Sequence, residues 1–277
     1  MKAREKAFAF GLILCALLLA YSYAYLDAIL AVLSETVLGA VGVSASYLEA
    51  NSNLGYTCSA AILSLFYFWL WKRIKRGYPE KNATLAFRPF GGAFRMLLIG
   101  LGAGGVSLLW LNFAEAIQNS IPALQSSYDT FNSEMGAFEQ GDYIWMLLTV
   151  SVIGPLVEEL LFRGLVFHLF ERSFKSERAA IILSALLFGI WHEIFVQSVY
   201  TFMIGLILGY LYAKTRKIIW PFLVHLVNNF SGTLPPGFDG EFANLLVNLA
   251  SLICIPVLFI LLWRMEKNTK QIEKTLP

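Results

Sequence analysis

The segment at residues 157–164, read V-E-E-L-L-F-R-G, places three ionisable side chains inside an apolar run long enough to cross a bilayer. Charged groups at membrane depth are costly, so they usually face a protein interior or a wet cavity and mark function. On a helix, Glu159 and Arg163 share a face while Glu158 points elsewhere. The spacing predicts an ion pair that leaves Glu158 free. Pro155, one turn upstream, is predicted to kink the helix.

The composition places this stretch in a membrane protein. Of the 277 residues, 57% are hydrophobic and 14% are charged, which is typical of a polytopic membrane protein. Lys2, Arg4 and Lys6 also fit a signal peptide, but the apolar run continues to Leu33 and favours a span. The expected fold is all-α, with about eight transmembrane helices around a polar cavity, at residues 7–33, 54–71, 96–117, 143–170, 179–197, 198–213, 218–231 and 243–263.

Basic residues predict the orientation. Every Lys and Arg except Arg163 lies at segment ends that would face the same side of the membrane. The connections that would face the other side carry no Lys or Arg; they lie at residues 34–53, 118–142, 193–197 and 232–242. By the positive-inside rule both termini are expected on the cytoplasmic side. The short loops favour the cytoplasmic membrane of a prokaryote as the location.

Two further polar pairs lie in other spans, each at four-residue spacing. Phe188 and His192 share one helical face, and His225 and Asn229 share another. Counted from the nearest basic residues at 1.5 Å per residue, Glu158 and His192 lie about 21 Å deep, Asn229 about 18 Å and His225 about 12 Å. The coincidence of depths predicts one polar site from three helices, opening toward the cytoplasm.

Each polar residue alone has an ordinary explanation. A membrane Glu serves as a proton relay, a His bonds a neighbouring carbonyl group, and an Asn joins helices. Together, a carboxylate, two imidazoles and a carboxamide at similar depth favour hydrolysis. The carboxylate can take a proton from water with the help of one imidazole, while the other imidazole and the amide donate to an oxyanion.

At these residues the chain resembles the CAAX protease and bacteriocin-processing (Abi) family of intramembrane proteases, which includes the type II CAAX prenyl endopeptidases. Its first motif is matched by Glu158, Glu159 and Arg163. Its second and third motifs are matched by the Phe188–His192 and His225–Asn229 pairs, in the family's order and in successive apolar spans. We expect residues 1–277 to form a single membrane domain. Within it, residues 143–231 form a catalytic core and residues 1–117 form additional transmembrane helices.

The resemblance implies a role for each residue. Glu158 is expected to act as general base on a water that His192 also holds, with His225 and Asn229 stabilising the oxyanion. Glu159, Arg163 and Phe188 are expected to support the site structurally. The favoured mechanism needs no cofactor. Zinc is an open alternative, because the family has also been described as metalloproteases and Glu158, His192 and His225 can ligate zinc, although the H-E-x-x-H motif is missing.

The leading hypothesis is therefore an intramembrane endopeptidase acting on a membrane-associated protein or peptide within the bilayer. No nucleic acid partner is expected, and the oligomeric state is left open. Family members are linked to peptide maturation, bacteriocin immunity and membrane signalling, so the substrate is unassigned. A noncatalytic immunity or scaffold protein that binds a partner through the same cavity is the alternative. A proton-coupled transporter is less favoured, because the sequence has no inverted repeat.

Overall fold

A computed structural model describes residues 3–77 and 82–275. The described residues are almost entirely helical and contain no β-strand. The α-helices, in chain order, are α1 (Ala3–Ala40), α2 (Ala45–Ala50), α3 (Asn53–Gly77), α4 (Pro89–Ile117), α5 (Pro122–Phe138), α6 (Tyr143–Met146), α7 (Gly154–Glu159), α8 (Phe167–Phe174), α9 (Glu177–Trp191), α10 (Phe195–Thr215), α11 (Ile219–Ser231) and α12 (Glu241–Thr275).

The predicted all-α, multi-pass membrane fold is confirmed. Each of the eight apolar segments is largely helical, and within residues 3–77 and 82–275 six helices are long and apolar enough to cross a membrane. The other two, α9 and α11, have 15 and 13 residues, whereas a span needs about 20. The α9 helix ends one residue before His192 and so stops short of the predicted segment 179–197, whereas α11 matches the predicted segment 218–231 to within one residue.

One helical rod, Tyr143–Phe174, runs through the middle of the bundle. We call it the central helix; it contains α6, α7 and α8 joined by π-helical turns at Leu147–Ile153 and Leu160–Val166. Pro155 lies in the first turn of α7, directly after the first π-helical segment. A proline cannot donate a backbone hydrogen bond. The hydrogen bonding is π-helical just before Pro155, and the helix continues beyond it. The second π-helical segment contains Arg163.

Two apolar clusters flank the central helix. The first joins it to α1, α3 and α9 through buried side chains such as Tyr67, Phe162 and Phe188. The second joins α4, α10, α11 and α12 through residues such as Met96 and Leu258. The outer faces of α1 and α12 expose many large apolar side chains, as expected for helices in contact with lipid tails.

The basic end of the bundle is held by a buried ion-pair network. Arg216, just after α10, donates to both oxygens of Glu171 on α8 at 2.8 Å and to Glu177 on α9 at 3.0 Å. Lys214 adds a bond of 2.6 Å to Glu177. A two-point Arg–carboxylate contact fixes orientation as well as distance. The network therefore sets how α8, α9 and α10 meet at the end opposite the polar site.

Small residues let α4 pack closely between α11 and α12. Gly100 faces Val227 on α11, while Gly102 and Gly105 face the backbone of α12 near Cys254 and Ser251. A Cβ atom added at Gly102 would lie 2.6 Å from the Cys254 carbonyl oxygen. The close approach of these helices therefore depends on the missing side chain.

Because backbone atoms cannot move aside cheaply, we expect Gly102→Ala to lower the free energy of unfolding in mixed micelles by about 1–3 kcal/mol. Gly11→Ala is the matched control, since nothing lies within 4 Å of a Cβ atom at that position. An unchanged unfolding free energy in Gly102→Ala would contradict the close α4–α12 contact.

Candidate active site

A buried ion pair forms the base of the site. Glu159 and Arg163 are both 0% exposed, and Arg163 Nη1 donates to Glu159 Oε1 at 2.8 Å. This pair agrees with the helical spacing. Arg163 Nη2 also donates to the Gly205 carbonyl oxygen on α10 at 3.2 Å. Its guanidinium group lies 4.7 Å from the ring centre of Phe188 on α9, so one side chain connects three helices.

His225 on α11 bridges the two glutamates. Its Nδ1 lies 3.0 Å from Glu159 Oε1, and its Nε2 lies 3.6 Å from Glu158 Oε2. Because Glu159 Oε1 accepts from Arg163 already, it acts as an acceptor, and we assign the imidazole proton to Nδ1. The Nε2 atom is then the one that faces Glu158. The Glu158 side chain is 17% accessible whereas that of Glu159 is fully buried, so only Glu158 is open to another molecule.

His192 is oriented by the way α9 ends. The backbone N–H of His192 donates to Gly189, three residues back, which leaves the Phe188 carbonyl oxygen available. The ring Nδ1 lies 2.8 Å from that oxygen. A carbonyl oxygen only accepts, so Nδ1 carries the proton and Nε2 presents a lone pair in the neutral ring. Glu193 follows with a φ of 60°, which turns the chain into α10.

The Phe188 ring holds both imidazoles. The ring of His192 meets it edge-on at 4.7 Å and that of His225 at 5.8 Å. Phe188 is 1% exposed. Edge-to-face contacts of this kind favour defined ring orientations. The structure therefore brings together the predicted residues Glu158, Glu159, Arg163, Phe188, His192 and His225.

Asn229 lies in the last turn of α11, and its side chain hydrogen-bonds residues other than Glu158, His192 and His225. Its Nδ2 donates to the Val150 carbonyl oxygen at 2.8 Å, within the first π-helical segment. Its Oδ1 accepts from Asn228 at 2.8 Å. No hydrogen bond joins its side chain to Glu158 or to either imidazole in the described part of the chain. One of its two amide hydrogens remains uncommitted.

The depth estimate for His225 was too shallow. Counting helical rise placed it about 9 Å short of Glu158, yet its ring nitrogen lies 3.6 Å from that carboxylate. The count measures distance along a helix axis and includes neither helix tilt nor side-chain reach. The packing of α11 across the central helix closes the difference.

Zinc binding by Glu158, His192 and His225 stays a prediction. Among the residues that the structure describes, no three His, Cys, Asp or Glu side chains are arranged to hold a metal ion. The Nδ1 contact of His225 to Glu159 leaves its Nε2 available as a ligand, an arrangement that zinc-bound histidines commonly use. The mechanism proposed below uses side chains and water alone.

The sequence interpretation missed polar and aromatic residues from helices outside the three motifs. Tyr23 on α1 packs edge-on against Trp191 at 5.1 Å, and Trp191 packs against His192 at 5.0 Å. Tyr200 on α10 and Asp27 on α1 lie within electrostatic range of Glu158. Asp27 had a detectable signal, since it is an acid inside the first apolar segment, the same feature that singled out Glu158.

Comparison with known proteins adds a family match to this geometry. Residues 140–231 match the family described as type II CAAX prenyl endopeptidase Rce1-like. We call this matched stretch the CAAX protease segment. The resemblance inferred from the three motifs is thus confirmed over this segment, which contains every motif residue.

Two curated relatives are similar to the CAAX protease segment. The Bacillus subtilis (strain 168) protein named "Putative membrane peptidase YdiL" is 32% identical over 85 residues, which are 30% of this chain and 34% of that protein. The "Membrane-embedded CAAX protease MroQ" of Staphylococcus aureus (strain USA300) is 32% identical over 85 residues, covering 29% of this chain and 34% of MroQ. The matches thus span about a third of each relative's length. No solved structure matches the chain significantly.

The Glu159–Arg163 pair should be strongly coupled. Glu159→Leu leaves the Arg163 guanidinium buried without its carboxylate, so we expect a loss of about 3–5 kcal/mol in unfolding free energy. The double variant Glu159→Leu/Arg163→Met removes both charges and should lose less than Glu159→Leu alone. Denaturation of the wild type, the single variants Glu159→Leu and Arg163→Met, and the double variant in mixed micelles gives the coupling free energy.

The pair between Lys270 and Glu266 is the matched control. It has the same four-residue spacing at 3.4 Å, but its side chains are 64% and 36% exposed. Lys270→Ala should cost at most about 1 kcal/mol. If the double variant loses as much unfolding free energy as the two single variants together, the buried pair is not coupled.

Proposed function

We propose that this chain is an intramembrane endopeptidase in which Glu158 is the general base. The observation that carries the proposal is the unequal use of two adjacent carboxylates. Glu159 is sealed and bound to Arg163 and His225, whereas Glu158 is partly accessible and lies 3.6 Å from an imidazole nitrogen. A general base must be ionisable, reachable and close to a group that assists proton transfer, and of the two glutamates only Glu158 is reachable.

The proposed reaction begins with a water held by Glu158 and His192 Nε2. Glu158 takes a proton from the water as its oxygen bonds to the carbon of the scissile peptide. The tetrahedral intermediate then collapses, the C–N bond breaks, and the leaving nitrogen receives the proton from Glu158. The Nδ1–H bond of His192 to Phe188 at 2.8 Å supports the role, because it fixes which nitrogen presents its lone pair.

We assign the oxyanion to His225 and Asn229. His225 Nδ1 is committed to Glu159, so only Nε2 can face a substrate, and it donates there when it carries a proton. Asn229 would donate its second amide hydrogen while the first stays bound to Val150. Oxyanion donors of this type stabilise charge that develops only in the transition state.

The substrate class we propose is a membrane-associated protein or peptide. The site lies between helices whose outer faces are apolar, so a substrate must reach it from within or along the bilayer. The printed name of MroQ, a membrane-embedded CAAX protease, supports the same class. We also infer that both termini face the cytoplasm of a prokaryotic cell, from the distribution of Lys and Arg and the positive-inside rule.

Glu158→Gln tests the general base. Because the carboxamide keeps the shape but cannot accept the proton, we expect cleavage of a quenched peptide library by the purified protein to fall at least about 100-fold. Glu193→Gln is the matched control: it removes an exposed carboxylate beside His192 and should leave the rate unchanged. Full activity in Glu158→Gln would overturn the assignment.

A strong chelator tests the metal-free mechanism in the same assay. We expect wild-type cleavage to persist, because the proposed steps use side chains alone. Loss of activity with chelator and recovery with zinc would show a metalloprotease instead. If the wild-type protein cleaves no peptide but binds a membrane partner equally well with and without Glu158→Gln, the noncatalytic scaffold or immunity function is favoured.

A further inference from the structure

Asp27 is an acid inside a membrane-spanning helix to which the proposed mechanism gives no role. It lies on α1, within a helix apolar enough to cross the bilayer. Its Oδ1 atom is buried and has no hydrogen-bond partner among the described residues. An ionisable group in this setting is costly unless something solvates it. Asp27 therefore needs a polar neighbour that the surrounding apolar side chains do not supply.

Two hydroxyl groups on α3 share the same need. Ser59 is 0% exposed and Tyr67 is 1% exposed, and neither Ser59 Oγ nor the Tyr67 hydroxyl has a hydrogen-bond partner in the described residues. Both lie close enough to Asp27 to interact with its carboxylate. Helical side chains lean toward the N-terminus of their helix, so Tyr67 leans along α3 toward the level of Ser59. Ser59 lies within hydrogen-bonding reach of Asp27, and Tyr67 lies within electrostatic range of it. Three polar groups without a well-formed hydrogen bond thus lie together between α1 and α3.

This cluster adjoins the candidate active site. Asp27 lies within electrostatic range of Glu158, and the Tyr67 ring lies 6.4 Å from that of Tyr23. Tyr23 in turn packs against Trp191, the residue before His192. The α3 helix also packs directly against α7, which carries Glu158. The unsatisfied groups are therefore neighbours of the proposed general base rather than a distant defect.

Unpaired buried polar atoms are normally satisfied by ordered water. A buried water makes two to four hydrogen bonds and requires a polar site, and Asp27, Ser59 and Tyr67 offer three polar groups. We propose that Asp27, Ser59 and Tyr67 hold an ordered water beside Glu158, and that this site supplies the water used in hydrolysis. The supply role rests on the proposed peptidase function; the water site itself does not.

X-ray hydroxyl-radical footprinting of the wild-type protein in lipid nanodiscs tests the water site without any substrate. Radicals form from bound water and oxidise the side chains that touch it. Tyr67 and Tyr212 are equally shielded, at 1% and 0% exposure, but of the two only the Tyr67 hydroxyl is buried without a hydrogen-bond partner among the described residues. We expect Tyr67 to be oxidised about tenfold faster than Tyr212 if it contacts a buried water. Equal rates would overturn the proposal.

Variants assign the water to its partners. Asp27→Leu and Ser59→Ala should slow Tyr67 oxidation, whereas Asp27→Asn, which keeps a polar oxygen, should preserve it. Ser22→Ala is the matched control on α1, because the Ser22 hydroxyl already donates to the Leu19 carbonyl oxygen at 3.1 Å. Tyr67 oxidation that is unchanged in both Asp27→Leu and Ser59→Ala would show that these residues do not hold the water.

Kinetics then test the supply role. In Asp27→Leu we expect kcat for peptide cleavage to fall about tenfold while KM stays constant, since water delivery affects the chemical step and not substrate binding. Asp27→Asn should recover most of kcat. A normal kcat in a variant that has lost Tyr67 oxidation would reject the supply role. If wild type shows Tyr67 oxidation and no cleavage, the peptidase proposal fails while the water site stands.

Discussion

The buried contact between Arg163 and Glu159 is the interaction on which the site depends. A guanidinium and a carboxylate that are both fully enclosed cannot exchange partners with water, so each must be satisfied by the protein. Arg163 reaches the backbone of α10 and the Phe188 ring on α9, and Glu159 accepts from His225 on α11. Four segments of the chain are thereby oriented around two charges.

The same contact gives adjacent glutamates different properties. Glu158 and Glu159 are neighbours in sequence, but a helix sends their side chains about 100° apart. One direction leads into the ion pair and the other toward accessible space. The difference in exposure, 17% against none, follows from this geometry and from nothing in the residues themselves. Two identical side chains can therefore take a structural and a chemical role.

Helices outside the CAAX protease segment complete the surroundings of these residues. The family match covers residues 140–231, while Tyr23 and Asp27 on α1 lie within electrostatic range of Glu158, and Tyr23 packs against Trp191. The motif residues lie on the central helix, α9 and α11, which cannot cover every side of the site. The polarity around Glu158 is thus decided partly by helices outside the segment that carries the motifs.

The sequence by itself determined the helical membrane fold, because apolar runs of spanning length leave the backbone only intrahelical hydrogen bonds. It also determined the Glu159–Arg163 pair, since four-residue spacing on one helix fixes it. Only the tertiary structure decided that α9 stops before His192, that His225 reaches both glutamates, that Asn229 binds Val150 and that Asp27 lies within electrostatic range of Glu158. These outcomes depend on helix tilt, packing and helix ends, which connect residues far apart in the chain and leave no periodic signal in it.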